Sequence, residues 1–354
     1  MTITDPRTKD RYYRTLKTLD TFVDQALGLT PWSTTLSGFH FNHDLLRAAM
    51  ANTYMETVGS RADSLHLAIK RVPASRIYWE YHKTVEIIGK RFKLDEQDVV
   101  LAFDYTEEDF YGDVQGMWIH GWTGERAVTG KFKFLTCAIV SSDIPEKVPL
   151  ISIPVRCGHN KAKEIAWCLA VVRPLVHSVK LTLYDRGFYD KELMLTLAKA
   201  KWPYLIFVPR NKKVRAELEK MVEEEKKTIP YPIKLNKDMT TLEGSTTLAL
   251  LKQVFDPRKK TRFDWVFATN QETIDLDHIV PTYKGRWRIE TGFRVQDEAR
   301  IKSKSKDPRV RFFLFVYEQV LQFLWVVLYK EEVSFKRFLL DMYEVCDERN
   351  TRTK

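Results

Sequence analysis

Two apolar segments that each end in an aspartate place the strongest constraint on the fold of this chain. Asp104 follows the apolar run at 99–103, and Asp185 follows the run at 181–184. A carboxylate at the end of a buried strand is held rigidly at the rim of a sheet, where ligands collect in open α/β sheets. Aspartate also closes strands as a turn former, so neither residue alone establishes a site. Together they predict a sheet whose rim carries two carboxylates.

The segments around these two runs alternate as in a mixed α/β layer fold. Further strands are predicted at 131–142, 148–157, 202–209 and 262–270, and helices at 161–176, 191–200 and 281–301. The stretch at about 212–255 interrupts this pattern, and we interpret it as an insertion with a charged helix and a few strands. The predicted fold class is therefore α/β: a mixed sheet flanked by helices, with a β-containing insertion and an N-terminal helical domain.

Residues 1–92 show helical periodicity, and we predict that they form a DNA-binding domain. One of its helices follows Gly59 and carries Arg61, Lys70 and Arg71. Two short helices around a glycine turn are consistent with a helix-turn-helix, whose second helix would enter the major groove. A small helical bundle with a solvated basic face is the alternative. The catalytic domain is predicted at 93–330 and a C-terminal helix at 331–354.

Charge and cysteine usage indicate the kind of partner and the compartment. The chain has 57 Lys and Arg residues against 47 acidic ones, a formal charge of +10, which favours polyanions such as nucleic acid. Its four cysteines form no CxxC pair, so we expect reduced thiols in the cytoplasm, with the protein associated with the nucleoid. The apolar run at 312–330 carries Glu318, Gln319 and Gln322, which favours a buried core helix over a membrane span.

A third acidic residue, Glu290, stands in a regular helical pattern with Tyr283 and Arg286. These positions share one helix face, and Arg294 continues that face by one turn. Charged residues that line up in this way on one helix face usually form ion pairs on the protein surface. The same helix also carries apolar residues, so it can pack on the sheet and present Glu290 to the strand ends.

The box at 184–189 and the Tyr-x2-Arg-x3-Glu box at 283–290 resemble those of the insertion-sequence-four family of DDE transposases. The resemblance covers about residues 95 to 330 and implies a ribonuclease H-like catalytic core. It also implies that Asp104, Asp185 and Glu290 are catalytic metal ligands, with Tyr283 and Arg286 on the DNA backbone.

The sequence departs from the family pattern at Asp297, where the family has a lysine seven residues after the glutamate. Either Arg294 or a residue of the basic run that follows takes over that phosphate contact, or this branch dispenses with it. The run comprises Arg300, Lys302, Lys304 and Lys306.

The resemblance also implies a reaction. Two divalent ions, Mg2+ or Mn2+, suit three carboxylates without His or Cys. Water would cut at the element's ends, and the freed 3′-hydroxyl would attack target DNA. The expected partners are double-stranded terminal inverted repeats and target DNA, handled by a homodimer, with no membrane. Further DNA contacts are predicted at Arg210, Lys212, Lys213, Arg300 and Lys302.

Three other functions remain open. A ribonuclease H-like nuclease or resolvase would cut without joining. A transposase-derived DNA-binding protein would keep a vestigial metal site. A hydrolase of small phosphoesters is disfavoured by the basic charge and by the helical N-terminal region.

Overall fold

A computed structural model describes residues 5–29, 36–59, 61–122, 124, 127–141, 147–237, 240–256 and 260–352. The helices are α1 Pro6–Leu27, α2 Gly38–Ala51, α3 Met55–Val58, α4 Ala62–Arg71, α5 Ala74–Arg91, α6 Lys161–Val172, α7 Lys191–Lys199, α8 Lys212–Glu219, α9 Ile279–Lys284, α10 Trp287–Gln296, α11 Pro308–Leu328 and α12 Phe335–Arg352. The strands are β1 Asp98–Phe110, β2 Ile119–Gly121, β3 Gly130–Ile139, β4 Val148–Pro154, β5 Ser178–Tyr184, β6 Tyr204–Phe207, β7 Lys226–Lys237, β8 Thr240–Asp256 and β9 Thr261–Thr269.

The described strands form one mixed sheet of nine, flanked by helices, and the predicted fold class is confirmed. Strands β4, β3 and β1 are antiparallel neighbours, while β5 and β6 run parallel to β1. The order then continues through β9, β8 and β7. The insertion therefore supplies the charged helix α8 and a long hairpin, β7 and β8, that extends the same sheet.

The prediction that Asp104 ends its strand is wrong. Strand β1 continues to Phe110, because β3 pairs with it without interruption from Leu101 to Phe110. Cross-strand ion pairs support the polar half of β1: Glu107 lies 3.3 Å from Lys133, and Asp109 lies 3.8 Å from Lys131. The parallel neighbour β5 does stop at Tyr184, as predicted. The rim beside Asp104 is thus created by the end of β5 alone.

The predicted long helix at 281–301 is divided in two. Helix α9 ends at Lys284 and α10 begins at Trp287, and the chain is extended again at Arg300. Gly285 and Arg286 between them keep right-handed helical dihedrals, with φ of −54° and −55°. The direction of the chain changes little, so side chains of both helices still reach the same region.

The N-terminal helices are packed into the body of the protein. Helix α1 packs against α5 and α2, and α2 packs against the C-terminal helix α12. Their apolar side chains join one continuous core with those of α11 and of one face of the sheet. A second, smaller core on the opposite face packs β1, β5, β6 and β9 against α9 and α10.

Helix α11 is the central buried helix. Within the described residues it alone has the length and hydropathy of a membrane span, and 89% of that apolar window is buried inside the protein. Its polar side chains are hydrogen-bonded: Gln322 donates to the carbonyl of Gly292 at 3.0 Å. Glu318 accepts from the Ile301 amide at 2.7 Å and from Gln296 at 3.1 Å. These internal partners explain how Glu318 and Gln322 fit into a core helix.

Burial raises the pKa of Glu318 well above its usual value. Protonation therefore favours the folded state, and this contribution is lost as the pH rises from the unfolded pKa through the folded one. Glutamine cannot ionise, so the Glu318→Gln variant should become more stable relative to the native chain as the pH rises. The change should fall between about pH 4 and 8, the range that covers an ordinary carboxyl pKa and a raised one. Denaturant unfolding across this range measures the difference, and a constant difference would contradict the expectation.

Candidate active site

Asp104 and Asp185 are brought together by the register of two parallel strands. Phe103 on β1 is paired with Tyr184 on β5, and each aspartate is the next residue along the chain. Neighbouring strands lie about 4.8 Å apart, so the two backbones are adjacent at this point. Side chains alternate along a strand, and Asp104 therefore shares the face of Ala102, which belongs to the core under α9 and α10.

Glu290 reaches the same place from α10, and one arginine joins it to Asp104. The Arg286 guanidinium donates from Nη1 to Oδ2 of Asp104 at 2.9 Å and from Nη2 to Oε1 of Glu290 at 2.7 Å. The side chain of Arg286 is only 7% exposed. Because one guanidinium group bonds to both carboxylates, the first and third predicted ligands are close neighbours in space.

The electrostatics of the site are those of crowded acids held by one cation. Burial raises the pKa of Asp104 to about 6, and the nearby charges of Asp185 and Glu290 act in the same direction. The positive charge of Arg286 opposes this rise. Charge-assisted hydrogen bonds to a buried arginine are strong contacts. Arg286 thus supplies the positive charge that this carboxylate cluster requires.

Tyr283 anchors the helices that carry Arg286 and Glu290. It is buried, and its ring lies 4.9 Å from Phe267 and 5.6 Å from Phe207, measured between ring centres. Burial raises the pKa of its hydroxyl to about 12. The tyrosine therefore fixes α9 on the sheet by aromatic packing.

Asp185 is oriented by the turn that follows it. Its Oδ1 accepts a hydrogen bond from the amide of Gly187 at 2.8 Å, and it caps a short 3-10 helix at Arg186–Phe188. A Cβ atom at Gly187 would lie 3.0 Å from that same oxygen. A side chain here would crowd the carboxylate, which explains a glycine beside it.

The donor set fits a hard divalent cation, since it consists of carboxylate oxygens alone. In the arrangement described, however, Arg286 bonds to two of the oxygens that a metal ion would need. Consistent with this, no three His, Cys, Asp or Glu side chains among the described residues are already spaced as metal ligands. Metal binding here requires the guanidinium to give up at least part of its contacts.

The other predicted DNA-contacting residues lie in three places. Arg294 is exposed one turn beyond Glu290 on α10. Lys212 and Lys213 are exposed at the start of α8, directly after β6, whose end lies at the same sheet edge as that of β5. Arg210 precedes them, 3.5 Å from Asp264.

The remaining basic residues lie away from the carboxylates. Arg300 and Lys302 are in the segment that joins α10 to α11. Arg61, Lys70 and Arg71 are on or beside α4, where the Lys70 carbonyl accepts a hydrogen bond from Arg309 of α11. No contact between these residues and the three acids is present in the described chain. Their roles on DNA stay predictions.

The contact between Arg286 and the two acids was not predicted from the sequence. The family resemblance places Arg286 on the DNA backbone, whereas its guanidinium bonds to Asp104 and Glu290. The spacing of Arg286 and Glu290 by four residues is a signal for an ion pair within a helical segment. The partner Asp104 is 182 residues away along the chain and gave no local signal.

Comparison with known proteins identifies the enzyme class. Residues 150–317 match the family described as "Transposase DDE domain", a segment that includes Asp185 and Glu290 and begins after Asp104. The chain thus carries a DDE transposase domain, and its enzyme class is that of the DDE transposases. Enzymes of this class use divalent metal ions. No curated protein matches the chain.

The fold is similar to that of a solved transposase. The chain matches a piggyBac transposase, seen by cryo-EM as a synaptic complex with hairpin DNA, at a TM-score of 0.58. The two are 10% identical, and the match covers 98% of this chain and 82% of that chain. At this identity the likeness shows the fold alone.

Proposed function

We propose that the chain is the transposase of an insertion sequence related to the insertion-sequence-four family, which cuts DNA at the ends of the element and joins them to target DNA. The observation that carries the proposal is the convergence of three acids: Arg286 bonds to Asp104 and Glu290, and the pairing of β1 with β5 brings Asp185 beside Asp104. These acids come from two strands and a helix that are distant along the chain. A cluster of this kind, with two of its three acids inside the segment that matches the DDE transposase domain, supports phosphodiester chemistry.

In this proposal the three acids are the catalytic metal ligands, for two ions of Mg2+ or Mn2+. Bound ions of this kind activate the attacking oxygen and stabilise the leaving oxygen of a phosphodiester. The protein's own contribution is rigidity. Strand pairing fixes Asp104, the Gly187 amide orients Asp185, and the packing of Tyr283 sets the helix of Glu290. Asp104 is more enclosed than Glu290, since its side chain is 16% exposed and that of Glu290 is 46% exposed.

The DNA partners are double-stranded terminal repeats and target DNA. The excess of basic side chains, at +10 for the chain, and the fold shared with a transposase solved in complex with DNA support this part. We further propose a homodimer on DNA, since two ends must be handled together, and a cytoplasmic, nucleoid-associated location. The domain boundaries at about 92 and 330 and the DNA-reading role of residues 1–92 belong to the same proposal.

The test is incubation of the purified chain with labelled terminal-repeat DNA and Mg2+ or Mn2+, following both nicked and joined products. Nicks with a free 3′-hydroxyl, followed by joining to a second DNA, are the expected result. Nicks without joining would favour the nuclease or resolvase. Specific binding without cutting would favour a transposase-derived DNA-binding protein.

Neutralising Lys212 and Lys213 should weaken DNA binding and flatten its dependence on salt. Each phosphate contact releases counterions, so the double variant Lys212→Gln/Lys213→Gln should reduce the slope of log affinity against log salt by about 2. Titrations at several salt concentrations measure it. Lys199→Gln/Lys336→Gln removes the same charge from exposed positions on α7 and α12, outside the predicted contacts, and should leave the slope nearly unchanged. Equal slopes for both double variants would remove Lys212 and Lys213 from the interface.

A further inference from the structure

A cavity of about 390 Å3 lies beyond the candidate active site, at the end of β1. Its walls are Tyr54, the turn at Phe110 and Tyr111, and the segment at 300–304 that joins α10 to α11. We propose that this cavity binds one unpaired nucleotide of a DNA strand. This inference rests on the proposed function, because it takes DNA as the substrate, and it adds a second binding site to it.

The charge of the cavity suits a phosphate. Four basic side chains line it, against two acidic ones; the basic residues are Arg300, Lys302, Lys304 and Arg311, and the acidic residues are Glu108 and Asp109. Both acids have internal partners. Glu108 lies 3.5 Å from Arg311, and Asp109 lies 3.8 Å from Lys131. Lys302 and Lys304 are exposed at the rim, so the positive charge available to a ligand exceeds the negative.

Two exposed tyrosines provide surfaces for a base. Tyr54 is 39% exposed and Tyr111 is 61% exposed, both unusually open for large aromatic side chains. The Lys304 ammonium lies 5.5 Å from the centre of the Tyr54 ring. An aromatic ring beside a cation is the combination that binds a base by stacking and its phosphate by charge. A site that bound only inorganic phosphate would not need the two tyrosine rings.

The Tyr54 backbone is held in place by the opposite wall of the cavity. The Lys302 amide donates to the carbonyl of Thr53 at 2.9 Å, and the Met55 amide donates to the carbonyl of Lys302 at 3.0 Å. These two hydrogen bonds clamp the turn before α3 to the 300–304 segment. The walls are therefore formed before a ligand arrives, which lowers the entropic cost of binding.

The cavity lies within reach of a strand bound at the acids. Glu108 is on the same face of β1 as Asp104, four residues further along, which is about 13 Å. A smaller cavity of about 230 Å3 shares Glu108 and Arg300 with the larger one and extends to Tyr105, next to Asp104. A phosphate at the carboxylates and a base in the cavity would be separated by about four stacked nucleotides.

The test uses the full chain in EDTA, so that no cleavage is needed. A short single-stranded oligonucleotide with 2-aminopurine reports stacking by loss of its fluorescence, and anisotropy reports affinity. We expect quenching by the native chain. The double variant Tyr54→Ala/Tyr111→Ala should lose the quenching and bind the strand about tenfold more weakly, since stacking on an aromatic side chain contributes this much per base. Tyr54→Phe keeps the ring and should keep both signals.

Trp167→Ala is the matched control, because Trp167 is a 40% exposed aromatic residue on α6 outside the cavity. It should bind and quench as the native chain does. Native-like quenching by the double tyrosine variant would overturn the proposal. So would competition by a free deoxynucleoside monophosphate as effective as that by the strand, which would assign the cavity to a small molecule. A chain that quenches but never cleaves would refute the proposed function and leave this site standing.

Discussion

Asp185→Asn should reduce metal-dependent cleavage of terminal-repeat DNA by about a thousandfold or more, while binding to that DNA stays close to native. The substitution keeps the shape of the side chain and its acceptor for the Gly187 amide, so the turn at 185–188 should persist. It removes one negative charge from a site proposed to hold two divalent ions. Metal-assisted catalysis contributes several kcal/mol, and each 1.36 kcal/mol is about tenfold in rate.

Asp190→Asn is the control that makes this result interpretable. Asp190 stands five residues further along and caps α7 by accepting from the Leu193 amide at 2.9 Å. Asparagine caps helices about as well as aspartate, so this variant should fold and cleave normally. Single-turnover cleavage and electrophoretic binding assays on both variants measure the two effects. Undiminished cutting by the Asp185 variant would remove Asp185 from the catalytic site.

The two aspartates could be predicted from the sequence because the signal for each is local. An apolar run of strand-forming residues precedes each carboxylate, and the parallel pairing of β1 with β5 follows from the usual rules of α/β folds. The order of strands and helices in the core could be predicted for the same reason. Glu290 was found through its helical spacing from Tyr283 and Arg286.

The true end of β1 could not be predicted from residues 105–110 alone. That stretch contains Glu107, Glu108 and Asp109, which disfavour a strand locally. The cross-strand partners of Glu107 and Asp109, which are Lys133 and Lys131, come from a strand more than twenty residues later. Pairing with β3 therefore extends the strand against its local preference. The cavity beyond Asp104 exists because of this extension, which explains why no local sequence pattern indicated it.

Arg286→Gln should increase the affinity of the DNA-free chain for Mn2+ by about tenfold or more, because it removes an internal competitor. The guanidinium makes hydrogen bonds of 2.9 Å and 2.7 Å to Asp104 and Glu290, and a hydrogen bond to a charged group contributes about 1.5–3 kcal/mol. A metal ion that binds these oxygens must replace at least one of those bonds. In EDTA the variant should be less stable than the native chain, since breaking a buried ion pair costs about 3–5 kcal/mol.

Adding Mn2+ should return most of this stability to the Arg286 variant, because an ion that binds only the folded state stabilises it. Titration calorimetry and thermal unfolding with and without Mn2+ measure both effects. Arg294→Gln removes an equal charge from an exposed position on the same helix, and its Mn2+ affinity should change much less. The assignment of Arg286 to the DNA backbone predicts a different outcome: weaker DNA binding and unchanged Mn2+ affinity. That result would mean that the guanidinium leaves the carboxylates at no cost, and that its role is to contact the DNA.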